Sequence, residues 1–153
     1  MADLPFSNIG LHHIGHLVAD IGESAAQYEA ALGYRVESAV IADPEQTALV
    51  QFLRLPSGAH WLELISPDGP SGKLATALQK GGGLHHACYE VQPLEQACDH
   101  FRAKGWLPLS APEPARAFPG RRIAWFMDRR RFLLELVEAG EPPLSLKHLL
   151  RAL

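Results

Sequence analysis

Residues 10–18 read GLHHIGHLV, and residues 83–91 read GLHHACYEV. Gly10-Leu11-His12-His13 thus recurs as Gly83-Leu84-His85-His86, each time opening a short apolar run. Two more landmarks follow each copy in the same order and at nearly the same offset. Leu32-Gly33-Tyr34 answers to Lys104-Gly105-Trp106, and Leu62-Glu63-Leu64 to Leu134-Glu135-Leu136. Ordered matches of this kind are the signature of a duplicated supersecondary unit.

Each copy reads strand, helix, then strands. In the first, 11–18 is β-compatible, and Asp20-Ile21-Gly22-Glu23 has the form of a capping box ahead of Ala25, Tyr28 and Leu32 at helical spacing. Gly33 supplies the stop. Strands are expected over 34–41, 47–55 and 59–65, the last two joined through Pro56-Ser57-Gly58. In the second copy 84–91 is the strand, and Leu94, Ala97, Cys98 and Phe101 form a helical stripe behind Pro93. Gly105 ends it, and strands are expected near 106–110, 121–127 and 131–138, with the Pro-rich 111–119 as a loop. A short helix at 72–80 and a Gly81-Gly82-Gly83 hinge lie between the copies. Leu146, Leu149, Leu150 and Leu153 give the tail an amphipathic pattern.

A strand sends alternate side chains to opposite faces. Glu63 sits between Leu62 and Leu64, and Glu135 between Leu134 and Leu136, so each carboxylate is framed by apolar neighbours. Such a carboxylate is expensive to desolvate unless something positive meets it. Its occurrence at equivalent positions of two repeats that each open on a histidine points to one shared metal ion. If the copies pair into one curved, cup-like sheet, the first strands offer His13 and His86 and the last strands Glu63 and Glu135. Two imidazoles and two carboxylates suit one divalent ion, Zn, Co, Ni, Mn or Fe.

Composition narrows the classes further. At 153 residues and 47% hydrophobic, the chain is long enough for a real core. Its net charge of −3 comes from interspersed acids and bases, which argues against nucleic acid or an anionic membrane as partner. MADLPFSNIG has neither a basic nor an apolar signal region, no apolar run approaches membrane-helix length, and Cys88 and Cys98 form no disulfide framework. A cytoplasmic protein, forming a homodimer and acting on a small molecule, is expected.

The runs LHHIGHLV and ELISP, then GLHHACYEV, RRIAWF and LLELVE, resemble the vicinal oxygen chelate superfamily of glyoxalases, bleomycin resistance proteins and dioxygenases, over about residues 10–138. Within it, ELISPDGPSGKLATALQKGGGLHH and AKGWLPLSAPEPARAFPGRRIAWF are most similar to the methylmalonyl-CoA epimerases. The resemblance implies an α+β fold of two tandem βαβββ modules forming a cup-like mixed sheet. The expected divisions are 10–67 and 84–139 for the modules, 68–83 for the linker and 140–153 for a helical tail. It also implies a divalent metal, with its ligands falling on His13, Glu63, His86 and Glu135. The second histidine of each pair is then the ligand. Strict alternation agrees, turning His13, Gly15 and Leu17 toward the cup and His12, Ile14, His16 and Val18 toward the helix. His12 and His85 are accordingly expected off the site, with His16 a hydrogen-bonded core residue.

A metal that chelates two neighbouring substrate oxygens lowers the pKa of a C–H beside a carbonyl, so a nearby carboxylate removes that proton. The expected activity is epimerisation or isomerisation of an acyl thioester, with Glu135 as base and Glu63 as a second catalytic carboxylate. A glyoxalase I-like lyase of the lactoylglutathione type and a non-catalytic antibiotic-binding protein are the alternatives. The resemblance places Gln51 where some epimerases carry a second glutamate base, and an amide is no base. Either Glu63 takes that role, the partner base lies elsewhere, or the reaction differs. Gln51, Arg121, Arg122 and Cys88 are the expected substrate-binding residues: the arginines flank the Gly120 turn and suit an anionic group, and Cys88 shares the parity of His86.

Overall fold

A computed structural model describes residues 3–58 and 60–140, so the amphipathic pattern of the tail lies outside the described residues. The elements run β1 (Ser7–Leu17), α1 (Ile21–Leu32), β2 (Arg35–Val36), β3 (Ile41–Asp43), β4 (Ala48–Arg54), β5 (Trp61–Pro67), α2 (Lys73–Gln79), β6 (Gly83–Gln92), α3 (Leu94–Ala103), β7 (Leu107–Pro108), β8 (Glu113–Pro114), β9 (Arg122–Met127) and β10 (Leu133–Glu138). Helix α1 begins where Asp20 accepts a hydrogen bond from the Glu23 N–H at 2.8 Å and ends at Gly33, whose φ of 73° only glycine adopts without strain. Among the described residues, no helix is long and apolar enough to cross a membrane.

One mixed sheet results, in the order β2-β4-β5-β1-β6-β10-β9-β7, with β3 on β4 and β8 on β9. The two first strands, β1 and β6, lie side by side and antiparallel at its centre. Each is flanked by the last strand of its own copy in parallel, β5 beside β1 and β10 beside β6. This α+β arrangement brings the repeat-related histidines and glutamates to four adjacent central strands. Alternation along them divides the core. Phe52, Trp61, Ile65, Cys88, Phe118, Ile123 and Val137 pack on the concave face. Leu53, Leu62 and Leu64 pack beneath α1, and Leu134, Leu136 and Phe126 beneath α3.

Two local expectations are corrected. The strand foreseen over 34–41 is split into β2 and β3, because the Ser38 hydroxyl accepts the Phe52 N–H at 2.9 Å and interrupts the backbone ladder there. The loop foreseen over 111–119 contains β8, whose Glu113 and Pro114 pair with Ile123 and Arg122 of β9. A proline at such an edge gives up no hydrogen bond that the sheet needs.

Candidate metal centre

His13 of β1, Glu63 of β5, His86 of β6 and Glu135 of β10 converge on the concave face, and all four are buried. The His13 Nε2 and His86 Nε2 atoms are 3.0 Å apart. Glu63 Oε2 lies 3.2 Å from each of these nitrogens, and Glu135 Oε2 lies 3.4 Å from His13 Nε2 and 3.2 Å from His86 Nε2. Adjacent donors about 2.0–2.2 Å from a single ion stand roughly 2.8–3.6 Å apart, whether the angles are tetrahedral or octahedral. The donor set therefore fits one divalent cation in both chemistry and spacing. All four candidate donors come from one chain, two from each copy.

Electrostatics follows from burial and pairing. Desolvation alone would raise the pKa of Glu63 and Glu135, but the facing imidazoles outweigh it and hold both carboxyls below the usual range. Burial likewise opposes charge on His13 and His86. The two facing carboxylates nevertheless hold both imidazoles above 6.5. Cys88 is fully buried, and desolvation pushes its thiol up to about 12, so it is neutral at pH 7.

The β1–β6 ladder is irregular at three points, and two of them fall on the histidine pairs. Leu11 pairs with Tyr89 and His13 with Cys88, leaving His12 as an extra residue; Gly15 pairs with His86 and His16 with Leu84, leaving His85 extra. A bulge re-aims the inserted side chain. His12 is turned onto the concave face, where its ring lies against Trp61 and Phe118, and His85 joins the wall of the cavity over the quartet. The expectation that both face the helices is thus overturned, because strict alternation assumes an unbulged strand. His16, beyond the bulges, does point to α1, where it hydrogen-bonds the Tyr28 hydroxyl. Burial, reinforced by the histidine that follows each, lowers His12 to about 3 and His85 to about 4.

Above the quartet lies a cavity of about 50 Å³ whose walls include Asp43, Val50, Glu63, His85, His86, Phe118, Trp125 and Glu135. It adjoins a larger groove of about 780 Å³ between β3 and β8, and Arg116 lines both. The four expected substrate-binding residues are not among the residues lining either space, and each has a physical reason. Gln51 pairs with Leu64, which puts it on the α1 side of β4, and its amide donates to the Ser38 carbonyl at 2.9 Å; Val50 and Phe52 hold the concave positions. Arg121 is buried with Nη1 3.5 Å from the Glu138 carbonyl. Arg122 faces outward, bonding Glu95 and Glu138 at 2.6 Å each. Cys88 is packed in the core beneath His13. Conversely, Asp43, His85, Arg116 and Trp125 line the cavity without having been expected there. Asp43 and Arg116 lie in segments with no repeat-related partner to mark them, and His85 was hidden by its bulge.

A curved sheet of two like halves, closed around a buried two-histidine, two-glutamate cluster on its concave face, defines the class. The chain belongs to the glyoxalase/bleomycin resistance protein/dioxygenase superfamily, whose family model matches residues 12–125. Among its relatives, the ethylmalonyl-CoA/methylmalonyl-CoA epimerase of Cereibacter sphaeroides is 34% identical over 115 residues, 74% of this chain and 84% of that one. The human mitochondrial methylmalonyl-CoA epimerase is 37% identical over 106 residues, which are 67% of this chain and 58% of the human protein. The crystal structure of methylmalonyl-CoA epimerase from Mycobacterium tuberculosis superposes with a TM-score of 0.77 at 26% identity, covering 87% of this chain and 89% of that chain.

Proposed function

We propose that this protein is a divalent-metal-dependent epimerase that removes and returns the proton α to the carbonyl of an acyl-CoA thioester, of the methylmalonyl-CoA kind. The observation that carries this reading is the buried His13, Glu63, His86, Glu135 quartet, three of whose members line a cavity that also holds a separate carboxylate, Asp43. The named epimerase relatives favour it over the lyase and the antibiotic-binding alternatives.

His13, Glu63, His86 and Glu135 would hold the ion, which when bound supplies Lewis-acid polarisation of the substrate oxygens and so acidifies the α C–H. The quartet contacts use Oε2 of Glu135, which leaves its Oε1 to accept the proton. Inversion needs proton delivery to the opposite face of the planar enolate, most simply from a second group. Asp43 is suited to it: it comes from β3 in the first copy, whereas Glu135 comes from β10 in the second, and both line the cavity, so a substrate seated there would meet a carboxylate from each copy. Burial, with Glu45 and Glu63 nearby, raises the Asp43 carboxyl and favours a group that both gives and takes a proton. The cavity admits only the reacting end of an acyl-CoA, so the thioester arm would lie in the β3–β8 groove with Arg116 beside its anionic groups. The site needs no second chain, although we expect a cytoplasmic homodimer.

Metal analysis of protein purified without chelators, followed by incubation with methylmalonyl-CoA in deuterium oxide, tests the proposal. Incorporation of deuterium at the α-carbon, abolished by a chelator and restored by a divalent ion, is expected. Metal binding without exchange would overturn it.

A further inference from the structure

Each ligand imidazole is contacted at its second nitrogen by the histidine that precedes it. His12 Nδ1 lies 2.8 Å from His13 Nδ1, and His85 Nδ1 lies 2.8 Å from His86 Nδ1. The two pairs are near-copies in orientation as well, with ring centroids 5.1 Å apart in both and interplanar angles of 84° and 85°. Both geometries arise because the preceding histidine is the extra residue of a bulge, one on β1 and one on β6. A bulge disrupts its ladder locally and is treated as a purposeful feature. Two at equivalent places, each turning an imidazole onto the same atom of the next residue, call for a common role.

We propose that His12 and His85 are positioning residues of the metal centre, each fixing the tautomer and ring orientation of the ligand histidine that follows it. This rests on the reading that the quartet holds a metal. A neutral imidazole that offers Nε2 as a ligand carries its proton on Nδ1. That N–H must donate to something, and a buried donor left unpaired is costly. The His13 Nδ1–H donates to His12 Nδ1 and the His86 Nδ1–H to His85 Nδ1, which places the proton of each preceding histidine on its Nε2. Hydrogen-bond partners of this sort hold the ligand ring in register with the ion and raise the basicity of its coordinating nitrogen. His12 is itself held by Trp61 and Phe118, with centroid distances of 6.4 and 5.0 Å, so its ring is a fixed acceptor.

The test is metal affinity, read by competition with a chromophoric zinc chelator on folded, chelator-stripped protein. The parent and His13→Ala come first: binding lost in His13→Ala upholds the quartet, and binding retained removes that reading together with this proposal. His12→Phe and His85→Phe keep a ring but remove the acceptor, and should weaken binding about 10–100-fold. His12→Asn restores an acceptor oxygen at the δ position and should bind near the parent, whereas His12→Gln, whose oxygen sits one bond further out, should not. Parent-like affinity in His12→Phe, or equal losses in His12→Asn and His12→Gln, would overturn the proposal. Should His12→Phe fail to fold, the Asn and Gln pair decides. Nitrogen-15 spectra of the zinc-loaded parent supply a second readout: Nδ1–H tautomers at His13 and His86 with Nε2–H tautomers at His12 and His85 are expected, and the reverse pattern would refute the assignment.

Discussion

Gly15 and His86 face each other across the β1–β6 seam, and the imidazole occupies the space that any side chain at Gly15 would need. Two residues along, Cys88 stands opposite His13 in the ladder. Each ligand histidine thus faces a small residue of the other copy. Replacing Gly15 with Ala puts a methyl group into the His86 ring, an overpacking that typically costs about 1–3 kcal/mol. The ring cannot retreat without leaving Glu63 and Glu135. Gly15→Ala is therefore expected to lower both the Tm and the zinc affinity, by calorimetry and chelator competition. Parent-like metal binding in this variant would show that the seam has slack.

Glu135 and Asp43 should separate proton removal from inversion. In Glu135→Gln the amide oxygen still faces the ion but accepts no proton, so α-deuterium exchange should fall by about 10²-fold or more while some metal is retained. In Asp43→Asn one epimer should still exchange its α-proton through Glu135, yet epimerisation should collapse. Equal loss of exchange from both epimers in Asp43→Asn would place the second proton-transfer group elsewhere.

The quartet should also give metal-free and metal-bound protein opposite responses to pH. Raised imidazole pKa values stabilise the metal-free fold below 6.5, and this contribution fades as pH climbs through the folded-state values. Depressed carboxyl values stabilise it above 4.5, and that contribution fades as pH falls through theirs. Together they favour the metal-free fold most between 4.5 and 6.5. Metal binding requires the imidazoles to release their protons, so affinity rises with pH. Between about pH 6 and 8, Tm without metal should fall while zinc affinity increases. A parallel fall of both would contradict the pairing.

The arginines make a contrasting set. Arg122 is committed to Glu95 and Glu138 on the outer surface, so Arg122→Ala should lower Tm slightly and leave KM for the thioester unchanged. Arg116 borders both the cavity and the groove, and Arg116→Ala should raise KM several-fold with little effect on metal content. Steady-state kinetics on both variants checks this. A KM change confined to Arg122→Ala would reverse the assignment.

What was legible in the sequence was whatever the duplication wrote twice. The repeated Gly-Leu-His-His and Leu-Glu-Leu runs bring His13, His86, Glu63 and Glu135 together through nothing more than equivalent places in equivalent strands. Asp20 and Gly33 marked the ends of α1 because capping and a left-handed stop have residue-specific chemistry. Bulges carry no such mark. An extra residue at His12 or His85 is visible only against the partner strand, so counting along one strand turned both side chains the wrong way. Gln51 stands opposite Leu64, on the α1 side of β4, and only the register of the pair decides which face a strand residue takes. Arg121 and Arg122 lie against Glu138, and Arg122 against Glu95 as well; in sequence a basic pair beside a glycine turn reads the same whether it meets a ligand or its own protein's carboxylates and carbonyls.

The central seam also fixes when the site becomes able to hold an ion. As the chain emerges from the ribosome, its first half presents one imidazole and one carboxylate, His13 and Glu63, on strands that pair with each other. His86 arrives next and Glu135 last, on a strand whose place beside β6 depends on everything before it. Metal capture would therefore come only after the second copy has been made, and a seated ion would rivet the last strand of that copy to the first strand of the other.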